Sequence, residues 1–154
     1  MRGDPMVNGN SEAKPGGDMK EPLNAWLERL SDLVATIRSW AKDLDWSTRQ
    51  IEKKMKDSQV GTYTAPALIL QKETIRVLLE PIARTAPGAE GVVDLYLMPA
   101  LDDIASLYYH DGRWQLHYLF PSSAPVGNIR EAEPMPLSKA TLQSVLEEMI
   151  ENAA

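Results

Sequence analysis

Ser106, His117 and Asp94 are the residues of this chain whose types suit covalent chemistry. A hydroxyl nucleophile, an imidazole base and an orienting carboxylate are what acyl transfer uses. A tight turn at Asp111-Gly112 sets Ser106 directly opposite His117, with Cβ atoms about 5 Å apart. Asp94 joins them if its strand lies next over with matching parity. No nucleophile elbow or Gly-rich oxyanion turn accompanies Ser106, and a flat sheet face encloses no substrate. The simpler reading is a polar, solvated face. Glu80 and Asp94 on neighbouring strands invite a nuclease reading, in which strand carboxylates hold a cation. The lysine that such sites place two residues beyond a strand acid is missing: Pro81-Ile82 follows Glu80, and Leu95-Tyr96 follows Asp94. Asp102-Asp103 could hold a divalent cation with Asp94 or Glu80, but Pro99-Ala100-Leu101-Asp102 reads more simply as turn chemistry. His110 lies opposite Arg113, so about 13 Å separates it from His117 at 3.3 Å per residue, too far to share one ion. Neither a metal nor a cofactor is expected.

These residues are placed by the hairpin Ile104–Phe120. Asp-Gly between two alternating runs is a strong hairpin signal, because both central residues of a type I′ turn need positive φ. The register pairs His110 with Arg113, Tyr109 with Trp114, Leu107 with Leu116, Ser106 with His117 and Ala105 with Tyr118. One face then carries Leu107, Tyr109, Trp114, Leu116, Tyr118 and Phe120 and must be core. The other carries Ser106, His110, Arg113, Gln115 and His117 together with Ile104, Tyr108 and Leu119.

Before the hairpin, Leu23, Trp26, Leu27, Leu30, Val34, Ile37, Trp40, Ala41 and Leu44 recur at helical spacing, with Pro22 suited to the first helical position. The stretch to Leu44 spans about 34 Å, enough to cross a sheet. A second helix is predicted from Ser47 to about Ser58, with Ser47 and Gln50 as capping box and Trp46 and Ile51 as staple. Arg49, Lys53, Lys54 and Lys56 would make it locally basic, with Glu52 and Lys56 as an i,i+4 pair on a solvent face. Trp26, Trp40 and Trp46 read as core. Strands follow at Thr62–Leu70 (an edge, given Pro66), Thr74–Pro81 and Val92–Met98, with a Pro87-Gly88 turn in the loop Thr85–Glu90. Pro121–Pro136 is an unusually long loop with four prolines. Ser138 caps a last helix carrying Leu142, Val145, Leu146, Met149 and Ile150, with Leu137 and Leu142 as staple. The expectation is a disordered tail over 1–20 and a single α+β domain over 21–152. Its order is α-α-β-β-β-β-β-α: an antiparallel five-stranded meander covered on one face by the long N-terminal helix and the C-terminal helix.

Composition narrows the function classes. The 154 residues carry a net charge of -6, which argues against phosphate-neutralising nucleic-acid binding. With no cysteine, disulfides, thiolate catalysis and Cys-based zinc sites are excluded. No apolar run reaches the length of a membrane span and the N-terminus lacks a secretory core, so the expected place is the cytoplasm, with no membrane partner.

One surplus remains. Leu78, Tyr96, Met98, Ile104, Tyr108 and Leu119 are too apolar for a sheet face left to water. Given common parity they surround Arg76, Glu80, Asp94, Gln115 and His117, a mixture typical of protein interfaces. The sequence therefore points to a non-enzymatic module that binds a protein partner or a second copy of itself through this outer face. The alternative is a small hydrolase or ligand-binding protein with a pocket under the 121–136 loop, lined by Tyr108, His117 and Asp94.

Overall fold

A computed structural model describes the chain over residues 17–118 and 134–153, with side chains from Lys20 onward. Helix α1 (Gly17–Asp43) starts ahead of the expected Pro22, which lies inside it. Residues 17–20 are therefore helical rather than tail; 1–16 lie outside the described residues. Its inner stripe of Trp26, Leu30, Leu33, Val34, Ile37 and Ala41 is buried. The helix stops in a Schellman arrangement. Asp45 adopts φ 68, its N–H donates to Lys42 O at 3.1 Å, and the Trp46 N–H donates to Ala41 O at 2.8 Å.

That ending corrects the expected second helix. Trp46 belongs to the C-terminal motif of α1 and is buried, so it cannot staple a new helix. Residues Ser47–Asp57 form strand β1 instead. Ser47 Oγ donates across the ladder to Gln71 O at 3.2 Å rather than capping a helix. Strand β2 (Gly61–Lys72) pairs with β1 along its whole length, from Ser47↔Gln71 to Asp57↔Gly61. Long-range pairing, invisible to a local capping pattern, decides the state of this segment.

Strands β3 (Ile75–Ala83), β4 (Val92–Leu97), β5 (Asp102–His110), β6 (Arg113–Tyr118) and β7 (Met135–Pro136) continue the meander. The result is an antiparallel sheet of seven strands in chain order, not five. Since β1 is the outer strand, β2 is not an edge. Pro66 is tolerated because pairing with β3 begins only at Leu68↔Leu79, so the earlier part of β2 has no ladder to complete on that side. Pro87-Gly88 makes a turn closed by an Ala86↔Ala89 bridge, with Gly88 at φ 78.

The β5–β6 register is the one read from Asp111-Gly112: His110↔Arg113, Tyr109↔Trp114, Leu107↔Leu116, Ser106↔His117 and Ala105↔Tyr118. Ala105, Leu107 and Leu116 are buried, and with Leu68, Leu70, Val77, Leu79, Val93 and Leu95 they meet α1 and α2 in one core. Tyr109 and Trp114 are less enclosed than expected: both are half-buried, meeting edge to face with ring centroids 5.2 Å apart beside α1. Leu119 and Phe120 lie outside the described residues. Helix α2 (Lys139–Ala153) is capped by Ser138, whose Oγ accepts from Thr141 N at 3.2 Å, and buries Leu142, Val145, Leu146 and Met149. Among the described residues no helix is long and apolar enough to cross a membrane.

Candidate functional site

Because α1 and α2 cover one face only, the candidate site is the opposite face of β3–β6. Register places Arg76, Leu78, Glu80, Asp94, Tyr96, Tyr108, Gln115 and His117 there, while Met98 follows the end of β4 and Leu119 lies outside the described residues. Glu80 faces Asp94, Asp94 faces Ser106 and Ser106 faces His117, a polar row across these strands. Leu78 faces Tyr96 on one side of the row, and Tyr108 faces Gln115 on the other. Arg76 ends the β3 stretch, opposite Gln71. Tyr108 is 37% exposed and Ile104 48%, while Leu78 and Tyr96 are half-buried.

The row is held by hydrogen bonds centred on Asp94. Ser106 Oγ donates to Asp94 Oδ1 at 2.8 Å, and Tyr96 OH donates to Asp94 Oδ2 at 3.2 Å. Burial pushes the Asp94 carboxyl above its usual range and the neighbouring Glu80 adds to this; the two hydroxyls and Lys53 only partly offset them. The Tyr96 phenol is pushed up to about 12, first by burial and then by the Asp94 carboxylate beside it.

Sequence reasoning missed one member, Lys53. Assigned to a helix, it was a solvent-facing charge. On β1 its ammonium pairs with Glu80 Oε2 at 3.0 Å and donates to Pro81 O at 2.9 Å. The signal was the alternation of Ile51, Lys53 and Met55, which belongs to a strand. A lysine thus does stand beside the Glu80–Asp94 pair, supplied by another strand rather than by an acid-x-Lys pattern. It neutralises Glu80.

The geometry does not build an acyl-transfer triad. Catalysis needs the imidazole between hydroxyl and carboxylate. Here the hydroxyl stands in the middle, with its proton given to Asp94, and no Ser106–His117 hydrogen bond occurs among the described residues. Nor do the carboxylates converge: Asp102 faces Leu97, and Asp103 accepts from Asn152 Nδ2 at 2.8 Å. Among the described residues no group of three or more His, Cys, Asp or Glu side chains gathers as a metal ion requires. His110 stands 3.7 Å from Asp111, at the hairpin tip and away from the row. Most of the 121–136 loop, with the pocket expected beneath it, lies outside the described residues. Comparison of the chain with protein-family models, curated proteins and solved structures finds no match.

Proposed function

We propose that this protein is a non-enzymatic module that self-associates through the outer face of β3–β6. The observation that carries the reading is that both helices pack on the other face, while Leu78, Tyr96, Ile104 and Tyr108 remain partly or largely open to water. A second copy suits the patch because it carries both charge signs within an apolar frame. Along β3, Arg76 and Glu80 flank Leu78 symmetrically. A two-fold axis crossing β3 at Leu78 sets Arg76 of each copy against Glu80 of the other, the self-complementarity that a two-fold contact demands. Stacked sheets about 10 Å apart bury such a face without rearranging the fold.

Sedimentation of the intact chain over a range of concentrations tests this. The wild type should shift from monomer to dimer, and Leu78→Lys should stay monomeric with an unchanged far-UV spectrum. A wild type that remains monomeric throughout, or a Leu78→Lys dimer of equal affinity, rejects the reading.

A further inference from the structure

The sheet has an open side at β1. This outer strand pairs with β2 along all 11 of its residues and has no strand beyond it among the described residues. In a strand paired on one side only, every second residue turns its N–H and C=O away from the ladder. Ser47–Asp57 therefore presents a row of backbone donors and acceptors that can template one more strand.

The start of this edge runs between two hollows that share Ser47 and Thr48. Toward α1 lies one of about 580 Å³, lined by Arg38, Lys42 and Trp46 among others. Toward β3 lies one of about 230 Å³, lined by Arg49, Gln71 and Arg76 among others. Each has room for a side chain, and every charged group on the two walls is a cation. None of the four is in an ion pair among the described residues; Arg38 Nε donates to Thr48 Oγ1 at 3.0 Å. Asp45 and Glu73, in the turns before β1 and after β2, line neither hollow. Further along β1, Lys53 is held by Glu80 and Asp57 by Arg84, which leaves the exposed Lys54 and Lys56 against Glu52. On a chain of net charge -6, this edge is a local surplus of uncommitted cations.

That surplus decides which strand fits. A second copy of β1 would bring the same cations to the ladder, the device by which edge strands refuse their own kind. An acidic strand meets no such barrier. Successive side chains of an added strand point to opposite faces, so adjacent glutamates reach Arg38 and Lys42 on one side and Arg49 and Arg76 on the other. We infer that β1 is a docking edge for an extended acidic segment of a partner protein, bound by strand addition with its carboxylates in the two hollows. At 0.1 M salt the Debye length of about 10 Å confines the electrostatics to these near charges and screens the remoter acidic surface. The inference shares only Arg76 with the outer-face contact, so either can fail alone.

The test uses the intact chain in about 0.1 M salt and three synthetic peptides. These are Thr-Val-Glu-Glu-Glu-Val-Thr, the same peptide with glutamine for glutamate, and the first with every backbone amide N-methylated. The glutamate peptide should shift the β1 amide resonances saturably and slow hydrogen exchange at the β1 amides that β2 leaves unbonded. The two control peptides should bind at least about tenfold more weakly. Replacing Arg38→Gln and Arg49→Gln together, both at exposed positions, should weaken binding about tenfold, the scale of two rim charges. Arg113→Gln, on β6 at the far side of the sheet, should leave it unchanged. No saturable shift, equal binding of either control peptide, or an equal loss in Arg113→Gln overturns the inference. So do shifts confined to arginine side chains with no protection along β1, which would mark a small-anion site instead.

Discussion

Asp94 and Asp57 show how two carboxylates of one sheet acquire opposite pH roles. Asp57 closes the β1–β2 turn: its Oδ1 accepts from the amides of Gln59 at 2.7 Å and Val60 at 3.0 Å, and its Oδ2 accepts from Arg84 Nε at 3.1 Å. Burial alone would raise its pKa, but these donors outweigh it and hold the carboxyl below its usual range. A depressed pKa contributes stability that is present above the unfolded value, about pH 4, and lost as pH falls through the folded value. Asp57→Asn should therefore cost about 2 kcal/mol near neutrality, the scale of a charge-assisted hydrogen bond, with the gap to wild type closing in acid. Asp94 has the opposite sign. Its raised pKa favours the neutral form in the folded protein, so its contribution is complete below about pH 4 and is lost as pH rises through the folded value. Asp94→Asn should unfold at higher urea than wild type near neutrality and converge with it in acid. Urea midpoints of both variants across this range check the pair. Parallel curves for Asp57→Asn and Asp94→Asn would show that neither carboxylate is tuned as described.

At the scale of elements, the joint between α1 and the sheet leaves no room at Gly91. A Cβ added at Gly91 would come 2.6 Å from Trp26 Cζ3, and Trp26 is fully buried with its indole N–H given to Tyr63 OH at 2.9 Å. Gly91→Ala should therefore cost about 1–3 kcal/mol by overpacking, whereas alanine at most glycines outside positive-φ turns is tolerated. A thermal melt indistinguishable from wild type would mean that α1 moves aside. The hairpin sets a second comparison. Trp114 is only half-buried, so Trp114→Ala should destabilise less than Leu107→Ala, which empties a fully enclosed position and should cost about 2–5 kcal/mol. The same elements explain what the sequence made legible. Asp111-Gly112 fixed the β5–β6 register because a two-residue turn determines every later pairing, and the outer-face residues of β5 and β6 followed from that parity; those of β3 and β4 rested on a common parity across strands that no local signal sets. The inner stripe of α1 and the Ser138 cap were legible because they are local. Residues 47–57 were not: Ser47, Gln50 and Ile51 satisfy a helix-start pattern, while the αL residue that ends α1 is Asp45, not a glycine that would announce itself. With β1 misread, Lys53 could not be placed beside Glu80.

For the whole molecule, the net charge of -6 sets how association through the outer face responds to salt. Two copies each carrying -6 repel by roughly 5 kcal/mol in unscreened water at a centre separation of about 30 Å. An Arg76–Glu80 contact between copies, with Glu80 already paired to Lys53 of its own copy, returns at most about 1 kcal/mol each time it forms. Repulsion therefore dominates outer-face association at low ionic strength, and the Debye length of about 10 Å at 0.1 M removes most of it. Self-association should strengthen on moving from low salt to about 0.1 M, since the apolar contact of Leu78, Tyr96 and Tyr108 is indifferent to screening. The expected outcome is a dimer constant that tightens with added salt. Sedimentation in buffers of one pH and rising ionic strength measures it. A dimer that dissociates on adding salt would place its driving force in ion pairs rather than in the apolar frame.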